Sequence, residues 1–127
     1  MFRASVAALT LALPAAALAQ PQILSNPWDS DQTSEFSHVL RGAPGARVVR
    51  LDAMTTSGEP VTVSVYPRKP DGGRGETRLL TAAATAAGDS RAAAIQLPPP
   101  GRLAVVVVVE NPAGRRSAGE YTLTVAP

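Results

Sequence analysis

Cysteine, histidine and aromatic residues are absent or scarce in this chain of 127 residues, and each shortage excludes a class of protein. Without cysteine there is no disulfide framework, so the fold has to rely on packing alone. The chain also lacks the acceptor for a lipid at a signal cleavage site. His38 is the only histidine, and one histidine without cysteine does not supply the ligands of a zinc site.

The chain also lacks a large excess of positive or negative charge. The chain has 12 basic and 10 acidic residues, and Lys69 is its only lysine. The arginines are scattered along the sequence, without the interleaved aromatic side chains that a nucleic-acid surface uses for stacking. The sequence therefore predicts no nucleic-acid partner.

Residues 1–19 have the pattern of a secretory signal peptide. Arg3 gives a positively charged start, residues 4–18 form an apolar run too short to span a membrane, and Ala17-Leu18-Ala19 places small residues before Gln20. We expect cleavage after Ala19, a periplasmic or extracellular location, and a mature chain with no membrane anchor.

The rest of the chain has the length of one domain, and turn residues separate its short apolar runs. Residues 20–34 are polar and contain proline, which predicts a flexible N-terminal arm. Residues 35–127 predict a β-sandwich of about seven strands. The expected strands are 36–40, 47–54, 61–66, 78–83, 92–97, 103–109 and 121–125, and 111–119 is expected to be a polar loop.

Two of these segments need separate comment. Residues 103–109 are all apolar and include five consecutive valines, which predicts a central strand covered on both faces rather than an exposed edge. Residues 81–91 begin with an alanine-rich stretch that favours helix by propensity, but Gly88 and Asp89 would limit a helix to about two turns. Strand and loop are favoured there, and the conformation stays open.

The segment Gly119-Glu120-Tyr121-Thr122-Leu123-Thr124-Val125 resembles the closing Gly-x-Tyr-x-Leu-x-Val strand of bacterial pre-peptidase C-terminal (PPC) domains. Residues 36–40 with the glycine-containing turn after them, 61–72 and 95–103 are similar to other segments of that family. The resemblance covers residues 35–127. His38 and Leu103 depart from it, because family members more often have aromatic residues at those positions.

The resemblance implies an all-β, jelly-roll-like β-sandwich of about seven antiparallel strands that has no catalytic activity. Such domains accompany secreted proteases as accessory modules, and no protease domain is present in this chain. The residues themselves point the same way. A catalytic triad would have to use His38, yet there is no Gly-x-Ser-x-Gly elbow, and a histidine within a strand is typically structural. We therefore expect neither catalytic residues nor an enzyme cofactor.

Asp29, Asp31 and Glu35 form a group of carboxylates that are close in sequence. Calcium binds six to eight oxygen ligands, often from loops, so one hypothesis is a calcium site in the arm. The segment lacks the glycine and the full ligand set of an EF-hand loop, which favours the alternative of a solvated acidic arm.

Trp28 lies in the same polar segment, beside Pro27. Tryptophan is enriched in the residues that dominate binding energies, so an exposed Trp28 would be a binding anchor. The alternative is that the arm folds back and buries Trp28 at one end of the sandwich.

The sequence thus favours a secreted, non-catalytic binding or accessory module whose partner is a protein or a polysaccharide of the envelope. A small secreted inhibitor of an extracellular protease is the alternative, with Trp28 and the arm entering the protease cleft. A hydrolase with an unrecognised site is a third hypothesis.

Overall fold

Eight β-strands make up the described part of the chain, and in most of them buried and exposed residues alternate, because successive side chains of a strand point to opposite faces of its sheet. The computed structural model describes residues 21–111 and 114–127, and the signal peptide predicted at 1–19 lies outside them. Within this range there is no helix. The strands are β1 (Gln22–Ser30), β2 (Ser34–Arg41), β3 (Val48–Gly58), β4 (Val61–Pro67), β5 (Leu80–Ala84), β6 (Asp89–Ala94), β7 (Arg102–Glu110) and β8 (Ser117–Ala126).

The strands form two four-stranded sheets that pack face to face. Sheet 1 has the order β1-β8-β3-β6 and sheet 2 the order β2-β7-β4-β5. Neighbouring strands are antiparallel throughout. This order is that of an eight-stranded jelly roll. The predicted all-β, jelly-roll-like sandwich is confirmed, with one strand more than the expected seven.

The additional strand is β1, so residues 22–30 are not the predicted flexible arm. β1 pairs with β8 along its whole length, from Gln22 opposite Val125 to Ser30 opposite Ser117. Polar residues at inward positions hide its alternation: the Gln22 side chain donates to the carbonyl of Val39 and accepts from the amide of Arg41. The sandwich therefore begins at Gln22 rather than at residue 35.

The valine run occupies β7, which lies between β2 and β4 in sheet 2. Val105, Val107 and Val109 point into the core between the sheets, and Val106 and Val108 on the other face are also buried. The prediction of a central strand covered on both faces is confirmed. Among the described residues, the buried apolar side chains lie on strands of both sheets and at Ala46 and Leu97 between strands. They are Trp28, Leu40, Ala46, Val49, Leu51, Ala53, Val61, Val63, Val65, Leu80, Ala82, Ala84, Leu97, Val105 to Val109, Tyr121, Leu123 and Val125.

Residues 81–91, whose conformation could not be decided from the sequence, connect the two sheets. This segment contains the end of β5, a turn closed by a hydrogen bond of 3.0 Å from the Gly88 amide to the Thr85 carbonyl, and the start of β6. Gly88 has a φ of 82°, a left-handed conformation that glycine adopts without strain. Strand and turn, rather than helix, are thus the conformation of the alanine-rich stretch.

Several strand boundaries differ from those expected, and β3 continues past residue 54 to Gly58. β6 lies at Asp89–Ala94, three residues before the predicted 92–97, because the following residues leave the strand geometry while their amides still bond to the chain before β3. The Ile95 amide donates to the Arg47 carbonyl at 2.6 Å. β8 begins at Ser117, inside the predicted loop 111–119.

Candidate functional site

Trp28 lies inside the sandwich, where only 4% of its surface is exposed. Alternation along β1 points Trp28 inward and its neighbours Pro27 and Asp29 outward. The indole Nε1 donates a hydrogen bond of 3.3 Å to the Ser117 hydroxyl. Trp28 is therefore not the exposed binding anchor suggested by the sequence, and the alternative, burial at one end of the sandwich, is what the structure shows.

The three carboxylates of the calcium hypothesis are not brought together. Asp29 points outward from sheet 1, Glu35 points outward from sheet 2, and Asp31 lies in the turn between β1 and β2. No group of three or more metal-binding side chains occurs among residues 21–111 and 114–127. The Arg116 guanidinium instead binds Asp29 through two hydrogen bonds of 2.7 and 2.8 Å, and these lower the pKa of the Asp29 carboxyl.

His38 belongs to a polar cluster between the two sheets. Its Nε2 lies 2.6 Å from the hydroxyl oxygen of Tyr121, to which the Asn26 amide also donates at 3.2 Å. The His38 and Tyr121 rings meet edge to face with centroids 5.8 Å apart. The cluster joins β1 and β8 of sheet 1 to β2 of sheet 2.

Burial sets the protonation of this cluster. It lowers the pKa of His38 and raises the pKa of Tyr121 to about 12, so both side chains are held in their neutral forms. The described hydrogen-bond partners of His38 are the Asn26 amide and the Tyr121 phenol, with neither a carboxylate nor a serine or threonine hydroxyl among them. The arrangement is that of a structural link between sheets.

One concave surface of the described residues is a groove on the outer face of sheet 1, which we call the Met54 groove. It encloses about 440 Å³, and its floor is formed by β3 and β8 while β6 and the turn before it form one wall. It is lined by Asp52, Ala53, Met54, Ala87, Gly88, Asp89, Ser90, Glu120 and Thr122.

Strand register places an apolar side chain opposite a charged one in this groove. Met54 pairs with Glu120, and Asp52 pairs with Thr122, on the adjacent strands β3 and β8. Met54 is 47% exposed and is the large apolar side chain of the groove. The turn before β6 lies against it, with Thr85 bridged to Met54 through the backbone.

Hydrogen bonds and ion pairs already engage two of the three carboxylates of the groove. Asp52 contacts the Ser90 hydroxyl and lies 3.5 Å from Arg50. Asp89 binds Arg91 at 2.6 Å. Glu120 has no salt bridge in the part of the chain that the structure describes. Glu120 is thus the carboxylate of the groove that is available to a ligand.

Sequence reasoning did not find this groove. Its residues come from three separate segments, 52–54, 87–90 and 120–122, and each segment is an ordinary strand or turn by itself. The one available signal was Met54, a large apolar residue at the outward position of a strand whose alternate residues Leu51 and Ala53 point inward. That signal becomes visible only after the register with β8 is known.

Comparison with known proteins identifies no family. No protein-family model matches the sequence, and no curated protein matches it at a significant level. Among solved structures, the chain is similar to the Yersinia pseudotuberculosis-derived mitogen, with 14% identity, a TM-score of 0.46, and 84% of this chain and 86% of that one covered.

Two further solved structures are also similar to this chain. A family 11 carbohydrate-binding module of the cellulosomal cellulase Lic26A-Cel5E of Clostridium thermocellum has 8% identity and a TM-score of 0.39, with 85% of this chain and 95% of that one covered. The VP2 subviral particle of infectious bursal disease virus has 14% identity and a TM-score of 0.37, and this chain spans 33% of that protein. Neither family nor function follows from matches this distant.

The described residues contain no helix that is long and apolar enough to cross a membrane.

Proposed function

We propose that the chain is a secreted, non-catalytic binding module that holds a basic side chain of a protein partner in the Met54 groove. The observation that carries this proposal is the cross-strand pair of exposed Met54 and Glu120. A lysine or arginine side chain has an apolar stem and a cationic head, so it can pack its stem on one of these residues and bind the other with its charge.

The chemistry of the groove favours a protein over a polysaccharide. None of the residues that line it is aromatic, so it offers no ring for stacking against a sugar. Methionine, in contrast, is flexible and polarisable and is frequent on surfaces that bind protein segments. The carboxylates Asp52, Asp89 and Glu120 give the groove a preference for cations.

A non-catalytic role is supported by the position of the single histidine. His38 is partly buried between the sheets and bound to Tyr121, on the inner side of the sandwich, whereas the Met54 groove lies on the outer face of sheet 1. A catalytic base has to reach its substrate within hydrogen-bond distance, and His38 does not line the groove.

The protease-inhibitor alternative loses the observation that motivated it. Its contact residue was an exposed Trp28 on a flexible arm, and Trp28 is buried in a strand paired with β8. An accessory role of the PPC type is the stronger proposal, and the Gly119-x-Tyr121 motif supports it. Gly119 leaves room for the Trp28 ring, and Tyr121 supplies the hydroxyl of the polar cluster.

The test is a titration of the purified, isotope-labelled protein with a short Gly/Ser peptide that contains one lysine, followed by amide chemical shifts. We expect shifts at the groove segments 52–54, 87–90 and 120–122. The same peptide with glutamate in place of lysine should leave them unchanged. Shifts that cluster elsewhere, or no difference between the two peptides, would contradict the proposal.

Two variants sharpen this test. Glu120→Gln should abolish the shifts with little effect on folding, because Glu120 is exposed and makes no salt bridge among the described residues. Glu35→Gln is the matched control, since Glu35 is an exposed carboxylate on the outer face of the other sheet. Equal losses in the two variants would point to net charge rather than to the groove. A panel of neutral oligosaccharides tests the competing occupant. Shifts of the groove amides on addition of one of them would mean that the groove binds a sugar rather than a basic peptide.

A further inference from the structure

Three arginines that are far apart in sequence meet at one end of the outer face of sheet 2. Arg41 ends β2 and Arg102 begins β7, and the two residues are directly opposite each other in the strand register. Arg68 follows β4, and its amide donates to the Ala104 carbonyl at 2.9 Å, which extends the β4–β7 pairing. These three arginines form what we call the basic patch, and only the strand pairing brings them together.

The alternation of each strand puts these side chains on the outer face. In β2, Leu40 is fully buried, and the next residue, Arg41, points away from the core and is exposed. In β7, Val105 is buried in the core, so Arg102, three positions earlier, points outward. Arg68 follows the same alternation from buried Val65. The basic patch is therefore one surface and not a set of diverging charges.

The opposed Arg41 and Arg102 reduce the stability of the fold rather than add to it. Like charges directly opposite each other in an antiparallel pair are destabilising. Every salt bridge among the described residues uses another arginine: Arg50, Arg74, Arg91, Arg115 or Arg116. Arg41, Arg68 and Arg102, which make no salt bridge in the described part of the chain, leave this surface ready for an anion from outside it.

We propose that the basic patch binds an acidic polysaccharide, a polymer with a carboxylate on successive sugars. Arginine binds carboxylates through two parallel hydrogen bonds, which gives a stronger and more directional contact than lysine. The side chains come from three adjacent strands about 4.8 Å apart, with Arg41 opposite Arg102 and Arg68 opposite Ala104, two residues further along β7. A repeating polyanion can engage several of these weak sites at once, and the contacts then reinforce each other.

A nucleic acid fits this surface less well because single-stranded bases need exposed aromatic rings for stacking. The aromatic side chains of the described residues are already packed against other groups. Trp28 and Tyr121 are buried, Phe36 packs on Tyr121 with ring centroids 5.6 Å apart, and the Arg74 guanidinium covers the Tyr66 ring at 5.0 Å from its centroid. The basic patch thus offers charge without stacking.

This surface is independent of the Met54 groove, because the groove lies on the outer face of sheet 1 and the basic patch on the outer face of sheet 2. The groove is lined by the carboxylates Asp52, Asp89 and Glu120, whereas the basic patch consists of arginines. A module built in this way can hold a basic protein segment on one side and an acidic polymer on the other. Failure of the peptide titration would leave the polysaccharide proposal intact, and the reverse also holds.

The experiment measures retention of the purified protein on immobilised polygalacturonate, with neutral dextran as the reference matrix. We expect retention at about 50 mM NaCl and release at about 500 mM, because added salt screens exposed charges. The double variant Arg41→Gln/Arg102→Gln should bind about tenfold more weakly or worse, since it removes two charged contacts. Its melting temperature should equal or exceed that of the parent, which separates lost binding from lost folding.

The matched control is Arg115→Gln/Arg116→Gln, which removes the same charge at the opposite end of the sandwich, beside the start of β8. It should retain the binding of the parent. An equal loss in both double variants, or absence of retention by the parent protein, would overturn the proposal. Tighter binding to single-stranded DNA than to polygalacturonate at the same salt concentration would also overturn it and assign a nucleic acid to the surface.

Discussion

The Tyr121 hydroxyl oxygen lies 2.6 Å from Nε2 of His38, and this contact connects β8 of sheet 1 to β2 of sheet 2. Phe36, two residues before His38 in the same strand, packs against the same Tyr121 ring. The only histidine of the chain is therefore a cross-sheet contact in a partly buried setting, where its protonation has consequences for folding.

The stability of the fold should decrease as the pH falls below about 6.5, the ordinary pKa of an unfolded histidine. Burial lowers the pKa of His38 in the folded protein, so between the folded and unfolded pKa values the unfolded chain binds more protons. Stability is then fully present above the unfolded value and is lost as the pH falls towards the folded one. Thermal unfolding at intervals from about pH 7.5 to about pH 5 measures this loss.

The comparison variant is His38→Gln, which keeps a hydrogen-bonding side chain beside Tyr121 but does not titrate. Other groups of the protein titrate equally in both proteins, so the difference between the two melting curves isolates His38. We expect the parent to lose more stability than His38→Gln over this pH range. Two parallel pH profiles would show that protonation of His38 does not affect the fold.

Replacement of Gly119 by alanine should destabilise the protein by about 2–3 kcal/mol, because the added atom overpacks a site with fixed neighbours. A Cβ at this position would lie 2.7 Å from Cη2 of the Trp28 ring and would also collide with the backbone carbonyl of Met54. Trp28 is the only tryptophan, so its fluorescence should report the local change during urea unfolding.

Gly73→Ala provides the control for Gly119→Ala. Gly73 is exposed in the loop after β4, and the nearest atom to an added Cβ is the flexible Asp71 carboxylate oxygen, 3.2 Å away. This variant should lose less than about 1 kcal/mol. Similar unfolding midpoints for the two variants would mean that Trp28 does not pack on Gly119 as described.

Much of the fold could be predicted from the sequence because its strands alternate at period two and its turns contain glycine and proline. β1 escaped prediction because its inward positions carry Gln22 and Asn26, whose polar side chains are satisfied only by groups on β2 and β8. No local pattern identifies those partners. The same limit applied to Trp28, whose hydrogen-bond partner, Ser117, is 89 residues away.

The candidate binding surfaces were harder to predict for a related reason. Each surface consists of outward-facing residues that look like an ordinary solvated strand face until the register is known. Arg41 and Arg102 are separated by 60 intervening residues, and only the pairing of β2 with β7 makes them neighbours. A count of charges along the sequence therefore could not show that Arg41, Arg68 and Arg102 lie together at one end of sheet 2.

Val107→Asp should unfold the domain or destabilise it by about 4 kcal/mol or more, since it buries an unpaired charge in the central strand. Thr124→Asp is the comparison, because Thr124 faces outward on β8, opposite Arg50 in the register. That variant should change the stability by less than about 1 kcal/mol. Equal melting temperatures for the two would show that the valine run is exposed, against the sandwich described above.

Arg102→Glu should make the free protein more stable, by about 0.5–1 kcal/mol at low ionic strength. The substitution turns a like-charge pair with Arg41 into an opposite-charge pair across β2 and β7. The gain should shrink between about 20 and 500 mM NaCl, because an exposed pair is screened by salt. Urea unfolding at both salt concentrations measures it, with Arg47→Glu as a control that removes an exposed arginine without a cross-strand arginine opposite it.

If Arg102→Glu gains stability while losing retention on polygalacturonate, the arginine at this position lowers stability and provides binding. If stability is unchanged at low salt, Arg41 and Arg102 do not repel each other, and the argument that their opposition marks a binding surface fails.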